Sequence, residues 1–326
     1  MFKKSGLTIL SAVFVLLLAL VLIFVVFDRN KNEKNFESQF VEIDTSKVSS
    51  ITIYPKGAKE GEEYKMVKKS DNWKIEQNGN VYTPDKRVAK SMLDQLAKIK
   101  SERIAATKKE RWQHYEVTDT VAVRIVVQEG NKTTDDLLIG KFSYQKSQNP
   151  YQQQQGKMTT YVRERNSNTV HAVEGFLNMI FNRRVNDLRN KMLTGFDKNN
   201  ITKIKFDYPA DSSFTLLKNE NGKWMINNSP ADSAKAVNYI NQISNFRAVN
   251  FVDNFNINNS QKSHELTIEG NNMSAINITA YPADTINKYV VTSSMNVDGK
   301  FSGSQGKLFN RAFKSARNFM PIKQEE

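Results

Sequence analysis

The chain has 326 residues, with 47 lysines and arginines against 34 aspartates and glutamates, a formal net charge of +13. It contains no cysteine, which excludes disulfides, thiolate metal sites and cysteine nucleophiles. Its length is enough for two ordinary domains with separate cores.

From the N-terminus, residues 7–27 read LTILSAVFVLLLALVLIFVVF, uncharged and apolar throughout. As a helix rising ~1.5 Å per residue, this run reaches about 30 Å, the thickness of a bilayer's hydrocarbon core. It exceeds the apolar region of an ordinary secretion signal, and no small-x-small cleavage site follows. The pattern predicts an uncleaved, single-pass transmembrane signal anchor. Residues 1–6, with Lys3 and Lys4, form the expected cytoplasmic tip and residues 28–44 a linker. The bulk of the chain is then expected on the periplasmic side of a bacterial inner membrane.

Beyond the linker, two passes of one pattern are expected, a module over 45–195 and another over 196–320, before a polar tail at 321–326. The first pass opens with the strand-like Val48–Ile53, then Tyr64–Val67 and Asn72–Ile75 around Trp73. After a turn at Gly79, Thr83-Pro84-Asp85 predicts a helix start, with Val88, Met92, Leu93, Leu96 and Ile99 on its apolar face. The second pass repeats this through Ile201–Phe206, Phe214–Leu217 and Trp224–Ile226 to Ser229-Pro230-Ala231-Asp232. Its helix face is Ala236, Tyr239, Ile240, Ile243 and Phe246. Trp73 superposes on Trp224 with a shift of 151, and Leu93 and Leu96 on Ile240 and Ile243 with a shift of 147, counted along the chain.

Each helix is followed by further strands. In the first module they are Val121–Val127, Asp136–Ile139, Thr159–Arg163 and Thr169–Val173. A helix carrying Phe176, Leu177, Ile180, Phe181, Val185, Leu188 and Met192 is then expected. In the second module the strands are Glu265–Ile268, Ala275–Thr279 and Tyr289–Thr292, ahead of a helix near Leu308–Phe313. The stretch Gln145–Gly156 reads as a polar hairpin loop. The fold class expected is α+β: after the anchor, two repeated modules of mostly antiparallel sheet with packed helices.

Catalytic signatures are missing. His114, His171 and His264 lie far apart and none belongs to an H-E-x-x-H pair. Gly303-Ser-Gln-Gly306-Lys307 lacks phosphate-loop spacing, and no G-x-S-x-G elbow occurs. No enzyme activity, cofactor or metal is expected. Trp73 and Trp224 read as core pillars rather than ligand-stacking rings. The basic run Lys98, Lys100, Arg103, Lys108, Lys109 and Arg111 matches no nucleic-acid module, so nucleic acid is not an expected partner. A solvated lysine-rich face is its plain reading, and attraction to anionic lipid or glycan its functional one. Lys108, Lys109, Arg111, Arg163, Arg183 and Arg184 are the candidate partner or ligand contacts.

The N-terminal anchor, the Trp73-Lys-Ile and Trp224-Met-Ile strands and the helices after them resemble a bacterial family labelled domain of unknown function 4340. Tyr161-Val-Arg163 and Leu188-Arg-Asn-Lys191 resemble it too. His114-Tyr115-Glu116-Val117 departs from the family's aromatic-Gly-Leu turn. Members are commonly encoded beside ABC-type export subunits, and the family has no established catalytic residues to transfer. The resemblance implies a non-catalytic accessory or scaffold protein of an ABC-type transport system, with permease and ATPase subunits as partners. An envelope-ligand binding module for anionic lipid or glycan is the alternative.

Overall fold

The computed structural model describes residues 40–321 except Glu42, Asp71 and residues 146–155. The chain divides into two compact units, one running to Val81 and resuming over Arg87–Val185, the other comprising Tyr82–Lys86 and the chain from Asn186.

The first unit is built on a sheet of nine strands. They are β1 (Ser50–Tyr54), β2 (Tyr64–Lys69), β3 (Asn72–Gln77), β4 (Asn80–Tyr82), β5 (Ser101–Ala106), β6 (Val123–Glu129), β7 (Lys132–Gln145), β8 (Lys157–Glu164) and β9 (Val170–Glu174). Their spatial order is β4-β3-β2-β1-β6-β7-β8-β9-β5. Period-two alternation turns Ile51 and Ile53, and Val123, Ile125 and Val127, into the core, where all five are fully buried. Among the described residues up to 188, four α-helices accompany the sheets: α1 (Lys86–Leu96), α2 (Trp112–Tyr115), α3 (Leu177–Phe181) and α4 (Val185–Leu188). Helix α1 buries Ala89, Met92 and Leu96, the i, i+3, i+7 stripe of a helix lying on a core.

The second unit has eight strands: β10 (Ile201–Asp207), β11 (Phe214–Lys218), β12 (Trp224–Ile226), β13 (Ser229–Pro230), β14 (His264–Gly270), β15 (Ile276–Pro282), β16 (Tyr289–Ser293) and β17 (Asn296–Ser302). Their order is β13-β12-β11-β10-β14-β15-β16-β17. With β5 set aside, the first sheet's order maps onto this one strand for strand. The registers agree as well. Ile75 lies opposite Met66 and Trp73 opposite Lys68, as Ile226 lies opposite Leu216 and Trp224 opposite Lys218. Helix α5 (Ser233–Ile243) buries Ala236, Tyr239, Ile240 and Ile243, and α6 (Leu308–Ala312) closes the core with Leu308 and Ala312.

Several expectations are corrected. The α+β class gives way to mostly antiparallel sheet: among the described residues only α1 and α5 reach eleven residues, and the other α-helices span four or five. The apolar positions expected on one helix over 176–192 are buried at Leu177, Phe181, Val185 and Leu188. The backbone leaves the helix at Asn182, so α3 and α4 share what the period assigned to one rod. Helix α1 begins at Lys86, two residues after Pro84, and Asp232 rather than Ser229 caps α5 by accepting from the Lys235 N–H at 3.1 Å.

Among the described residues no helix is long and apolar enough to cross a membrane. The run at 7–27 and the tip at 1–6 lie outside the described residues. The single-pass anchor, and the inner-membrane location with a periplasmic bulk that followed from it, are therefore not supported by any helix of the described residues. Most of the loop expected over Gln145–Gly156 also lies outside the described residues.

Candidate functional site

The most elaborated surface of the first unit begins with a glycine. The β7–β8 register slips between Ile139 and Phe142, so Gly140 and Lys141 form an irregularity in the strand. A Cβ at Gly140 would stand 2.1 Å from the Tyr115 carbonyl oxygen and 2.7 Å from the Val117 side chain. Only a residue without a side chain admits the turn after α2 so close to β7. That turn closes through Glu116, whose left-handed φ of 56° ends the helix while its N–H donates to the Gln113 and Trp112 carbonyls.

Arg163 on β8 supports the turn from inside. It is 0 % exposed. Its Nε donates to the Val117 carbonyl at 3.1 Å, and its Nη1 to the carbonyls of Glu164, Arg165 and Ser167 at 3.2, 2.8 and 2.9 Å. The guanidinium lies 3.5 Å from the Trp112 ring centre, a desolvated cation–π contact. Burial lowers its pKa from the ordinary arginine value, and Asp119, 4.0 Å from Nη2, acts in the opposite direction. Expected as a partner contact, Arg163 is a buried pillar.

On this pillar stand two fixed aromatic rings. The Trp112 indole N–H donates to the Asn168 carbonyl at 3.1 Å, and the Tyr115 hydroxyl to the Ala105 carbonyl at 3.2 Å. Tyr115 also packs on Tyr161 at 4.5 Å. Cations stand over both: Lys109 is 5.4 Å from the Trp112 ring centre, and Arg111 and Lys141 are each 5.9 Å from that of Tyr115. Lys108, Lys109 and Arg111 are exposed. The two rings and their cations form a shelf, and the pKa of His114 is lowered chiefly by Lys141, then by burial and by Arg111, in keeping with its positive field.

Of the six candidate contacts, the structure thus gathers Lys109, Arg111 and Arg163 on Trp112 and Tyr115, with Lys108 on the adjoining turn. Arg183 and Arg184 have other partners. Arg183 donates to the Met179 carbonyl at 3.2 Å, and Arg184 pairs with Glu62 at 2.6 Å. Sequence reasoning missed Trp112, Tyr115 and Lys141. The signal for the first two was present: Lys109 with Trp112 is an i, i+3 pair and Arg111 with Tyr115 an i, i+4 pair, both neighbours on a helical turn. Lys141 had none, because only the strand irregularity brings it there.

A second arginine organises the other unit. Arg189 is 5 % exposed, grips Asp253 with two bonds of 2.8 Å, and lies 3.6 Å from the Phe251 ring centre and 4.1 Å from that of Tyr82. Around it the chain 82–86 is held by backbone bonds, Asp85 N–H to the Leu188 carbonyl and Asn190 N–H to the Thr83 carbonyl, both 2.8 Å. Arg247 pairs with the Asp85 carboxylate. These contacts leave only a small crevice, so the cluster is a fastening. A shallow cavity of about 460 Å³ is lined by Asp207, Tyr208, Lys262, His264 and Glu265. Lys262 is spent on Glu265 at 2.6 Å, the Tyr208 hydroxyl on the Lys314 carbonyl, and His264 on Ser263.

His171 stacks on Phe40 at 3.9 Å and bonds Ser101 at 2.8 Å. His264 sits among Tyr208, Phe309, Tyr289 and Phe313. Among the described residues no group of three or more His, Asp or Glu side chains is arranged to hold a metal ion.

Neither the curated proteins nor the solved structures contain a match to this chain. The family profile described as a domain of unknown function (DUF4340) matches residues 81–267. The match takes in α1, the shelf, Arg163, the Arg189 fastening and the duplicated segment from β10 through β13 into the start of β14. It covers more than half of the sequence, and the chain belongs to the domain of unknown function 4340 family.

Proposed function

We propose that this protein is a non-catalytic accessory or scaffold component of an ABC-type transport assembly, acting by holding partner subunits. The observation that carries the reading is the doubled sheet. One eight-strand order is built twice, each copy closing its own core, and repetition of a scaffold doubles the surface available for binding. The partner class comes from what the family resemblance implies, permease and ATPase subunits. Crosslinking of the full chain in cells, then affinity capture and mass spectrometry, tests it. Recovery of those transporter subunits with the wild-type chain is the expected result. Recovery of the chain alone, under crosslinking that captures a known complex from the same cells, would overturn the reading.

One observation favours the alternative of an anionic lipid or glycan binding module, the uncompensated cations around Trp112 and Tyr115. Salt-sensitive binding of the full chain to anionic vesicles or acidic glycans would support it, and no binding at low salt would dismiss it.

A further inference from the structure

We propose that Lys108, Lys109, Arg111 and Lys141, arrayed around Trp112 and Tyr115, form a docking surface for an acidic polypeptide segment of a partner protein. The inference rests on the accessory-protein reading and adds the chemistry of the contact.

Four observations lead here. The charge is uncompensated: among the described residues, none of these four side chains has a carboxylate within 4.0 Å, because the neighbouring acids are taken. Glu116 pairs with Lys56 at 2.6 Å, Asp119 with Arg165 at 2.7 Å, Glu102 with Lys157 at 2.6 Å and Asp136 with Arg124 at 2.8 Å. Glu110, between Lys109 and Arg111, is exposed and forms no ion pair with either. The charges also converge, since Lys141 and Arg111, from separate elements, both act on His114. The mount is rigid: Arg163 beneath Trp112, two ring-to-carbonyl bonds and the Gly140 approach hold the aromatic rings before any partner arrives. A surface organised in advance loses less entropy on binding.

Finally, the surface suits a polypeptide better than a bilayer. Between Thr107 and Val117 no large apolar side chain is exposed, and Phe142, exposed next to Lys141, packs its ring against Phe176. Trp112 and Tyr115 are half-buried with their polar ends tied down, leaving no wedge to enter a headgroup layer. An arginine presents a planar fork to a carboxylate, and half-buried ring faces beside it add contact area for a side chain.

The test measures binding of fluorescent decaglutamate, with decaglutamine as the neutral control, to the full chain by anisotropy. Wild type is expected to bind decaglutamate only, weakening steeply between about 50 mM and about 500 mM salt. The variant K109E/R111E/K141E should lose affinity by tenfold or more, on the order seen for close interfacial charges. The neutral variant K109Q/R111Q/K141Q repeats the test should the reversal disturb folding, which circular dichroism monitors. The control K198E/K218E/K223E changes the net charge equally at exposed positions of the other unit. If it weakens binding as much, the attraction belongs to overall charge and the site is refuted. Binding to anionic vesicles without binding to decaglutamate would overturn the proposal in favour of a lipid surface. In-cell capture separates the two readings. Transporter subunits recovered equally with wild type and K109Q/R111Q/K141Q would refute this surface alone, whereas no recovery even with wild type would refute the accessory reading.

Discussion

At the scale of the residue, Arg163 and Gly140 decide whether the shelf exists. Four carbonyl oxygens and the face of Trp112 depend on one guanidinium. Arg163→Met keeps much of the apolar volume but leaves the buried Val117 carbonyl and the half-buried Arg165 and Ser167 carbonyls without this donor, while the Glu164 carbonyl keeps its bond from the Ser167 N–H, at about 1–3 kcal/mol for each acceptor that water does not reach. We expect a loss of about 2–4 kcal/mol in urea unfolding. Arg184→Ala, which breaks an exposed pair, should cost no more than about 1 kcal/mol. Equal effects would show that Arg163 is no pillar. Gly140→Ala is a separate probe. Its methyl meets backbone, the Tyr115 carbonyl, which cannot swing aside as a side chain would. A destabilisation of about 1–3 kcal/mol is expected, together with a shift in Trp112 emission as the turn is displaced. An unchanged urea midpoint and spectrum would show that the turn gives way freely. At this scale the sequence was legible in part. Arg163 stood out as an arginine in a strand, but whether it faced water or a nest of carbonyls depended on how the 164–168 turn folds back, which no local pattern records.

At the scale of the element, the tryptophans at matched positions part company. Trp73 and Trp224 occupy the same register of their hairpins, yet Trp224 is 5 % exposed and Trp73 only half-buried. Trp224→Ala should cost about 3–5 kcal/mol through lost burial and a cavity. Trp73→Ala should cost clearly less, because part of its ring already meets water. Tryptophan-by-tryptophan urea melts check this, and equal losses would contradict the difference in burial. The helix shift of 147 read from Leu93/Ile240 and Leu96/Ile243 agrees with the observed stripes Ala89, Met92, Leu96 and Ala236, Tyr239, Ile243. Periodicity served well there because each helix lies flat on one core. It failed over 176–192, where burial continued but the backbone turned at Asn182. It also missed β5 and β17: Ser101–Ala106 has no alternation, with Arg103 and Ile104 both exposed, and Asn296–Ser302 carries Asp298 and Gly299 in its middle. Edge strands are held by pairing to one neighbour, and that partnership is non-local.

At the scale of the whole molecule, each unit holds one histidine whose pKa is lowered by burial alone. His171 in the first and His264 in the second both have pKa values lowered from the ordinary 6.5 by burial. In the unfolded chain each imidazole takes up a proton near that ordinary value, while in the fold it resists protonation until lower pH. The unfolded state therefore binds more protons between the two values, and stability falls as pH falls through that window. Above about pH 6.5 the full stability is present, and below the folded pKa the loss is complete. His264→Phe fits an aromatic ring among Tyr208, Phe309 and Phe313, and His171→Phe extends the stack on Phe40. Urea midpoints taken at about pH 7.5 and about pH 5.5 should drop for wild type, drop less for either variant and least for the double variant. Carboxylate titration common to all four chains cancels in the comparison. A wild-type midpoint that holds or rises on acidification, or variants that lose as much as wild type, would mean that both imidazoles accept protons in the folded state as readily as in the open chain. Their aromatic surroundings would then be stabilising the imidazolium by cation–π contact more than burial disfavours it.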